Sequence, residues 1–162
     1  MILCLRDADA TAQLGAALSR ALGPVSACPA EGVRLHLRGP LGAGKTSLAR
    51  GLLRAMGVTG HVRSPSYTLI ETYEAQGWQI VHYDLYRLGG GEELELLGAR
   101  EHLAAGHLCC IEWPERAGGW LPAAHLEVDL GYEHGGRKAR IQAHATFGRR
   151  WLERLAIPDT LK

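Results

Sequence analysis

Apolar residues recur at helical spacing in four stretches of the chain. In the first stretch Leu14, Leu18 and Ala21 share one face, and Asp9 or Thr11 is the expected N-cap. The same spacing predicts helices over residues 9–22, 46–56, 92–105 and 148–156. Glycine or proline lies close to several of the predicted ends, as is typical of helix termini.

Shorter runs of alternating, β-branched and aromatic residues predict strands between these helices. They cover residues 33–37, 67–73, 78–83, 108–113, 126–130 and 139–145. A turn at 75–77 favours a hairpin between the second and third runs, and a loop at 132–138 joins the last two. Because strands alternate with helices, we predict an α/β fold with a mostly parallel sheet flanked by helices and extra antiparallel strands toward the C-terminus. The length of 162 residues favours one domain over residues 1–162.

Composition and charge narrow the class of protein. The chain is 46% hydrophobic and 22% charged, which excludes a disordered chain. Lys and Arg (18) nearly balance Asp and Glu (17), so a protein that coats polyanions through net charge is excluded as well. The chain lacks an apolar run of the ~20 residues that a membrane span needs, and it begins without a secretory signal pattern. We therefore expect it in the cytoplasm. The adjacent Cys109 and Cys110 are expected to be small buried side chains on opposite faces of a strand.

One glycine-rich segment carries a chemical signature. Gly39-Pro40-Leu41-Gly42-Ala43-Gly44-Lys45-Thr46 matches G-x-x-x-x-G-K-[ST] at every fixed position, between a predicted strand and a predicted helix. Its glycines permit backbone angles that let N–H groups turn toward phosphate oxygens. We expect Lys45 to reach the β- and γ-phosphates and the Thr46 hydroxyl to bind Mg²⁺. The expected nucleotide contacts here are Leu41, Gly42, Ala43, Gly44, Lys45, Thr46 and Ser47.

The identity of the base follows from a missing residue type. The sequence contains no Asn. The Asn-Lys-x-Asp signature with which typical GTPases recognise guanine therefore cannot occur. ATP is the predicted nucleotide, and Mg²⁺ is the predicted metal.

Two acids follow strand patterns and are candidates to complete such a site. Asp84 follows residues 80–83, and Glu112 follows residues 108–111. Both would lie at carboxyl ends of parallel strands, where ligands of open α/β sheets bind. Direct Mg²⁺ ligation and positioning of water can be divided between them either way. His82 either supports Asp84 or is an ordinary sheet histidine, and Arg87 either neutralises transition-state charge or pairs with a nearby glutamate.

The polar cluster Ser64-Pro65-Ser66-Tyr67-Thr68 is open to two interpretations. The hydroxyls of Ser64, Ser66 and Thr68 would contact a γ-phosphate in a loop that orders when triphosphate binds and relaxes afterwards. Alternatively, the segment is a plain turn leading into a strand.

These motifs together resemble a known family. The phosphate loop is followed in order by Ser64–Leu69 (S-P-S-Y-T-L), His82–Leu88 (H-Y-D-L-Y-R-L) and Ile111–Glu115 (I-E-W-P-E). From about residue 9 to 140 the chain is similar to the bacterial P-loop ATPases of tRNA threonylcarbamoyladenosine biosynthesis, the TsaE/YjeE family. Two departures are Pro40, where the family usually has Asp, and Ser66, where it usually has Thr.

The resemblance implies a function and roles for residues. It implies a Mg²⁺-dependent ATPase, weak alone, that resets or regulates a partner threonylcarbamoyl transferase and that enzyme's inactive paralogue without itself transferring the group. Lys45 and Thr46 would bind phosphate and metal, Asp84 would be the Walker-B-like acid, and Glu112 would be a further acid at the metal. The catalytic residues would then be Lys45, Asp84 and Glu112, and the metal ligands Thr46, Asp84 and Glu112. Residues 64–68 would be the nucleotide-sensing loop, and Trp113, Gly136 and Arg137 would lie near the nucleotide.

Other functions compete with this one. A small-molecule kinase shares the phosphate loop, and Asp84-x-x-Arg87 would then bind a substrate hydroxyl; a nucleotide-dependent binding module without turnover is a third possibility. The segment 89–95 is glycine-rich and acidic, which argues against the arginine-bearing lid of kinases. The basic clusters at 137–140 and 149–150 are short, so we expect tRNA to reach this chain through its protein partners.

Overall fold

A computed structural model describes residues 1–60, 62, 64, 65 and 67–161. Within them, seven strands form one sheet in the order β1-β7-β6-β2-β5-β4-β3. The strands are β1 (Ile2–Leu5), β2 (Val33–Arg38), β3 (Ile70–Ala75), β4 (Trp78–Asp84), β5 (His107–Glu112), β6 (Leu126–Glu133) and β7 (Gly136–Ala143). The four central strands, β6, β2, β5 and β4, are parallel to one another. The outer strands β1, β7 and β3 pair antiparallel. The predicted α/β class, with a parallel core and antiparallel additions, is confirmed.

Helices cover both faces of the sheet. They are α1 (Ala8–Leu22), α2 (Lys45–Ala55), α3 (Gly91–Leu96) and α4 (Ala145–Glu153), with single-turn 3-10 helices at Val25–Ala27, Ala99–His102, Pro114–Ala117 and Asp159–Leu161. The larger hydrophobic core lies between the sheet and α1, α2 and α4. The smaller one lies under α3 and two of the 3-10 turns. Among the described residues, no helix is both long and apolar enough to cross a membrane.

The cysteine pair in β5 behaves as expected. Cys110 packs into the larger core and Cys109 into the smaller one, because successive side chains of a strand point to opposite faces. Burial raises the pKa of the Cys109 thiol to about 12 and that of the Cys110 thiol well above its ordinary value. Both are therefore small buried side chains.

Several predicted boundaries were wrong, and each has a local cause. The helix predicted over 92–105 ends at Leu96, because Gly98 adopts a left-handed conformation (φ 69°) and a 3-10 turn follows. Asp7, instead of Asp9 or Thr11, caps α1, its Oδ1 accepting from the Ala10 backbone N–H at 2.7 Å. The strand expected from Tyr67 begins at Ile70, since residues 67–69 form a turn.

Differences at the other ends are of the same kind. The C-terminal hairpin is tighter than expected, since β6 and β7 extend to residues 133 and 136. Helix α4 begins at Ala145 instead of Gly148, and strand β1 had not been predicted at all. Strand β1 is only four residues long, too short for a recognisable alternation.

A close helix crossing positions the start of α2. A Cβ at Gly15 of α1 would lie 2.0 Å from the Leu48 carbonyl oxygen of α2, and one at Gly51 of α2 would lie 2.0 Å from the Ala12 carbonyl oxygen of α1. Side chains at these two positions would force the helices apart. The backbone contact therefore sets where α2, and with it the end of the phosphate loop, sits on the sheet.

His36 lies buried in β2 just before the phosphate loop. It is 5% exposed, and its Nε2 lacks a hydrogen-bond partner among the described residues. Burial first, and then the charges of Arg38, Arg34, His144 and His125, lower its pKa from 6.5 to about 4. The folded protein therefore keeps this imidazole neutral across a pH range in which an unfolded chain would protonate it.

This difference predicts a pH dependence of stability. Between pH 6.5 and about 4 the unfolded chain binds a proton at His36 that the folded chain does not, so stability falls as the pH is lowered. The contribution of His36 is up to about 3 kcal/mol at the acid end. Urea unfolding at several pH values checks this by comparing the wild type with His36→Leu, which should lose less stability on acidification. His134→Leu, a change at an exposed loop histidine, is the control. Equal losses in all three proteins would contradict the prediction.

Candidate functional site

The predicted phosphate loop connects β2 to α2 and turns tightly against β6. Gly39 has φ 131°, and a Cβ there would lie 2.0 Å from the Leu130 carbonyl oxygen. Gly44 has φ 108° and forms the N-cap of α2, its carbonyl accepting from the Leu48 N–H at 2.9 Å. Only glycine is compatible with these two positions, so the loop depends on them for its path.

Lys45 is held inside its own loop. The side chain is 4% exposed, and its Nζ donates to the carbonyl oxygens of Gly39 (2.6 Å) and Pro40 (2.9 Å). The ammonium also lies 3.7 Å from the centroid of the Trp113 ring. Burial lowers the pKa of Lys45, against the opposing charge of Glu112 and two other nearby acids. The ammonium is thus a buried cation, and an anionic ligand would draw it away from these two carbonyl oxygens.

Asp84 and Glu112 end adjacent parallel strands and stand opposite each other in the register of β4 and β5. Glu112 is 2% exposed, and its Oε2 accepts from the Thr46 hydroxyl at 3.0 Å. Its other oxygen, Oε1, lies 2.9 Å from His82 Nε2. The carboxylate therefore connects the first turn of α2 with the middle of β4. His82 contacts this carboxylate, a contact that differs from both of the interpretations left open by the sequence.

Asp84 is bound instead to the polar cluster at residues 64–68. Its Oδ2 accepts from the Ser64 hydroxyl, and its Oδ1 accepts from the Tyr86 N–H at 3.1 Å. The Asp84 backbone N–H donates to the Leu69 carbonyl at 3.0 Å. Ser64, at the start of the cluster, and Leu69, just after its end, are thereby both bonded to Asp84. Ser66 lies outside the described residues.

These side chains surround one cleft of about 290 Å³. It is lined by Leu41, Gly42, Gly44, Lys45, Thr46, Ser47, Ser64, Asp84, Tyr86, Glu112, Trp113 and Arg137. Three expected nucleotide contacts, Ala43, Thr68 and Gly136, do not line it. Ala43 is fully buried, the exposed Thr68 faces Glu71, and Gly136 packs against β1.

Arg137 lies in β7 and lines the cleft. In the sheet, β7 lies on one side of β2, and the strands that carry the two acids, β5 and β4, lie on the other. The Nε of Arg137 is buried and has no hydrogen-bond partner in the part of the chain that the structure describes. It lies 3.3 Å from the point where a Cβ at Gly44 would be. A guanidinium donor is thus available beside the N-terminus of α2, where anions are favoured.

Tyr86 is the lining residue that had not been singled out from the sequence, although it belongs to the D-L-Y-R motif. Its ring lies 5.0 Å from that of Trp113, which turns with a left-handed backbone (φ 59°) at the end of β5. The Arg87 guanidinium stacks 4.6 Å above the exposed ring of Tyr67. The rings of Tyr86 and Trp113 form one wall of the cleft.

The donor set suits a hard cation. The side chains that line the cleft with oxygen atoms include the hydroxyl of Thr46 and two carboxylates, Asp84 and Glu112. Mg²⁺ binds through one or two carboxylates together with waters and phosphate oxygens, and it does not need a cage made only of protein ligands. The residues present therefore fit a magnesium ion bound together with a phosphate ligand.

Comparison with known proteins decides the family. A family model described as "Threonylcarbamoyl adenosine biosynthesis protein TsaE" matches residues 5–140. This chain belongs to the TsaE family. The TsaE match includes the phosphate loop, both acids and the strand that carries Arg137, whereas α4 lies beyond it.

Individual relatives agree with this assignment. The tRNA threonylcarbamoyladenosine biosynthesis protein TsaE of Haemophilus influenzae is 43% identical over 72% of this chain and 74% of its own length. The TsaE protein of Treponema pallidum is 34% identical over 77% of this chain and 87% of its own. The crystal structure of Bacillus subtilis YdiB superposes with a TM-score of 0.75 at 24% identity, covering 96% of this chain and 93% of that one. The last comparison supports the fold.

Proposed function

We propose that this TsaE-family chain is a Mg²⁺-dependent ATPase that serves the synthesis of threonylcarbamoyladenosine in tRNA. The observation that carries the proposal is the hydrogen bond between the Thr46 hydroxyl and Glu112. It joins the last residue of the phosphate-loop motif to a buried strand-end acid, and a hydroxyl of this loop together with such an acid is what holds Mg²⁺ in P-loop NTPases.

ATP would bind by replacing contacts that the loop now makes with itself. The phosphates would accept from the loop N–H groups and draw the ammonium of Lys45 away from the carbonyls of Gly39 and Pro40. Arg137, whose buried Nε has no hydrogen-bond partner among the described residues, would add a second cation on the opposite side. Mg²⁺, when bound, neutralises the developing charge on the phosphate oxygens. Thr46, Asp84 and Glu112 are the residues that would hold it.

The two acids would then have different tasks. Glu112 would orient the Thr46 hydroxyl and remain at the metal, since it already contacts that hydroxyl. Asp84 would connect the metal to the Ser64–Thr68 loop, since Ser64 donates to its carboxylate. Binding or loss of the γ-phosphate would thus change the position of that loop, which is the behaviour of a switch.

Hydrolysis would act by changing the surface that this chain presents to its partners, since the chain is not proposed to transfer the threonylcarbamoyl group itself. Three large side chains, which we call the rim, are exposed in or beside the segments that line the cleft. Leu41 (66% exposed) lines it, Tyr132 (65%) donates to the Leu41 carbonyl, and Tyr67 (85%) belongs to the Ser64–Thr68 segment. We expect the transferase and its inactive paralogue to contact this rim in the cytoplasm, and tRNA to be reached through them. Slow hydrolysis by the isolated chain would then be stimulated by both partners.

Hydrolysis in the presence of partners tests this function. Phosphate release from Mg-ATP should be slow for the isolated chain and faster after addition of the purified transferase and its paralogue. In parallel, a panel of small hydroxyl compounds should receive no phosphate. Stoichiometric transfer of phosphate to any of them would favour the alternative, a small-molecule kinase, and contradict the switch.

Replacement of Glu112 separates binding from chemistry. Glu112→Gln keeps the shape and a hydrogen bond to Thr46 but removes the charge at the metal. We expect ATP binding within about tenfold of the wild type and hydrolysis slower by on the order of 100-fold. Calorimetry and single-turnover hydrolysis measure the two quantities. Glu153→Gln, at an exposed residue of α4 that does not line the cleft, is the control and should hydrolyse ATP at the wild-type rate. Unchanged turnover in Glu112→Gln would remove Glu112 from the catalytic set.

A further inference from the structure

His82 is a polar residue at a position where packing alone would favour an apolar side chain. It lies in the middle of β4, is fully buried, and points toward the same face as Ile80. Its cross-strand neighbour in β5 is the apolar Cys110. An apolar side chain of similar size would pack here without polar atoms to satisfy. A buried imidazole needs hydrogen-bond partners, and within the described part of the chain His82 has one for its two ring nitrogens.

The hydrogen-bond pattern places a hydrogen on one ring nitrogen of His82. Nε2 lies 2.9 Å from Glu112 Oε1, and both side chains are almost inaccessible, at 0% and 2% exposure. A carboxylate oxygen accepts, so Nε2 is the donor in this pair. Nδ1 is buried and has no partner among the described residues. The one hydrogen bond that the ring makes with these residues is thus directed to Glu112, and a buried ring nitrogen without a partner is unfavourable for folding.

Glu112 needs such a donor because the contact with Thr46 alone does not fix both of its oxygens. Its Oε2 accepts from the Thr46 hydroxyl at 3.0 Å. A carboxylate that rotated away from this arrangement would leave Thr46 without an acceptor. The contact of Oε1 with His82 opposes that rotation.

We propose that His82 is a positioning residue for the magnesium site, whose Nε2–H holds Glu112 so that the second carboxylate oxygen stays on Thr46. The inference rests on the proposed function, since it concerns the same metal. His82 itself touches neither nucleotide nor metal. Replacing His82 should therefore weaken the contribution of magnesium to ATP binding, and it should do so only while Glu112 is present.

Two variants of the full chain separate positioning from packing. His82→Phe fills the space without a donor, whereas His82→Gln places an amide N–H near the position of Nε2. Calorimetric titration with ATP, with and without Mg²⁺, gives the factor by which the metal strengthens binding. We expect His82→Phe to reduce this factor about 10- to 100-fold with metal-free ATP affinity unchanged, and His82→Gln to restore most of it. Thermal unfolding reports packing separately, and His82→Phe should be less stable than His82→Gln because it leaves Glu112 Oε1 without its donor.

A double-mutant cycle with Glu112→Gln completes the test. If His82 acts through Glu112, adding His82→Phe to Glu112→Gln should change the magnesium factor no further. An equal loss of ATP affinity with and without metal, or a persisting effect in the Glu112→Gln background, would overturn the inference. Should His82→Phe fail to fold, His82→Leu takes its place in the same measurements. A wild type that shows no binding of Mg-ATP would instead overturn the proposed function, and this inference with it.

Discussion

Burial of the Glu112 carboxylate is the constraint around which the site is arranged. A charged group at 2% exposure is tolerated only with hydrogen-bond donors on both oxygens. One donor, Thr46, lies in the first turn of α2, and the other, His82, belongs to β4. The carboxylate can therefore be satisfied only when the helix and two strands meet in the right register. The same requirement connects the fold to the chemistry proposed for it.

The remaining architecture supplies that register. Parallel pairing of β2, β5 and β4 brings the phosphate loop and the two strand-end acids to one edge of the sheet. The backbone contact of α1 with α2 at Gly15 and Gly51 sets the height of the helix on the sheet. Gly39, which passes close to β6, sets where the loop begins. Each of these positions tolerates little change because backbone atoms, which cannot move aside as side chains do, are the neighbours.

Local signals explain how much was predictable from the sequence. The phosphate loop and the strand-end positions of Asp84 and Glu112 depend on motifs and short periodic runs, and the structure has both acids at strand ends. The parallel core followed from the alternation of strands and helices. What local patterns could not show are contacts between distant residues: the pairing of His82 with Glu112, the capture of Lys45 by its own loop, and the entry of Arg137 from β7. The early end of α3 was missed because the left-handed Gly98 outweighs an otherwise helical composition.

The central claim is that this loop exchanges its internal contacts for those of a magnesium-bound triphosphate. Titration calorimetry of Mg-ATP into the wild type and into Lys45→Ala tests it most directly. We expect saturable heat, corresponding to one ATP site per chain, for the wild type and no heat for the variant. The reason is that the buried ammonium would be the main positive charge in contact with the phosphates. No heat with the wild type at millimolar nucleotide, or equal affinity in the variant, would contradict the account.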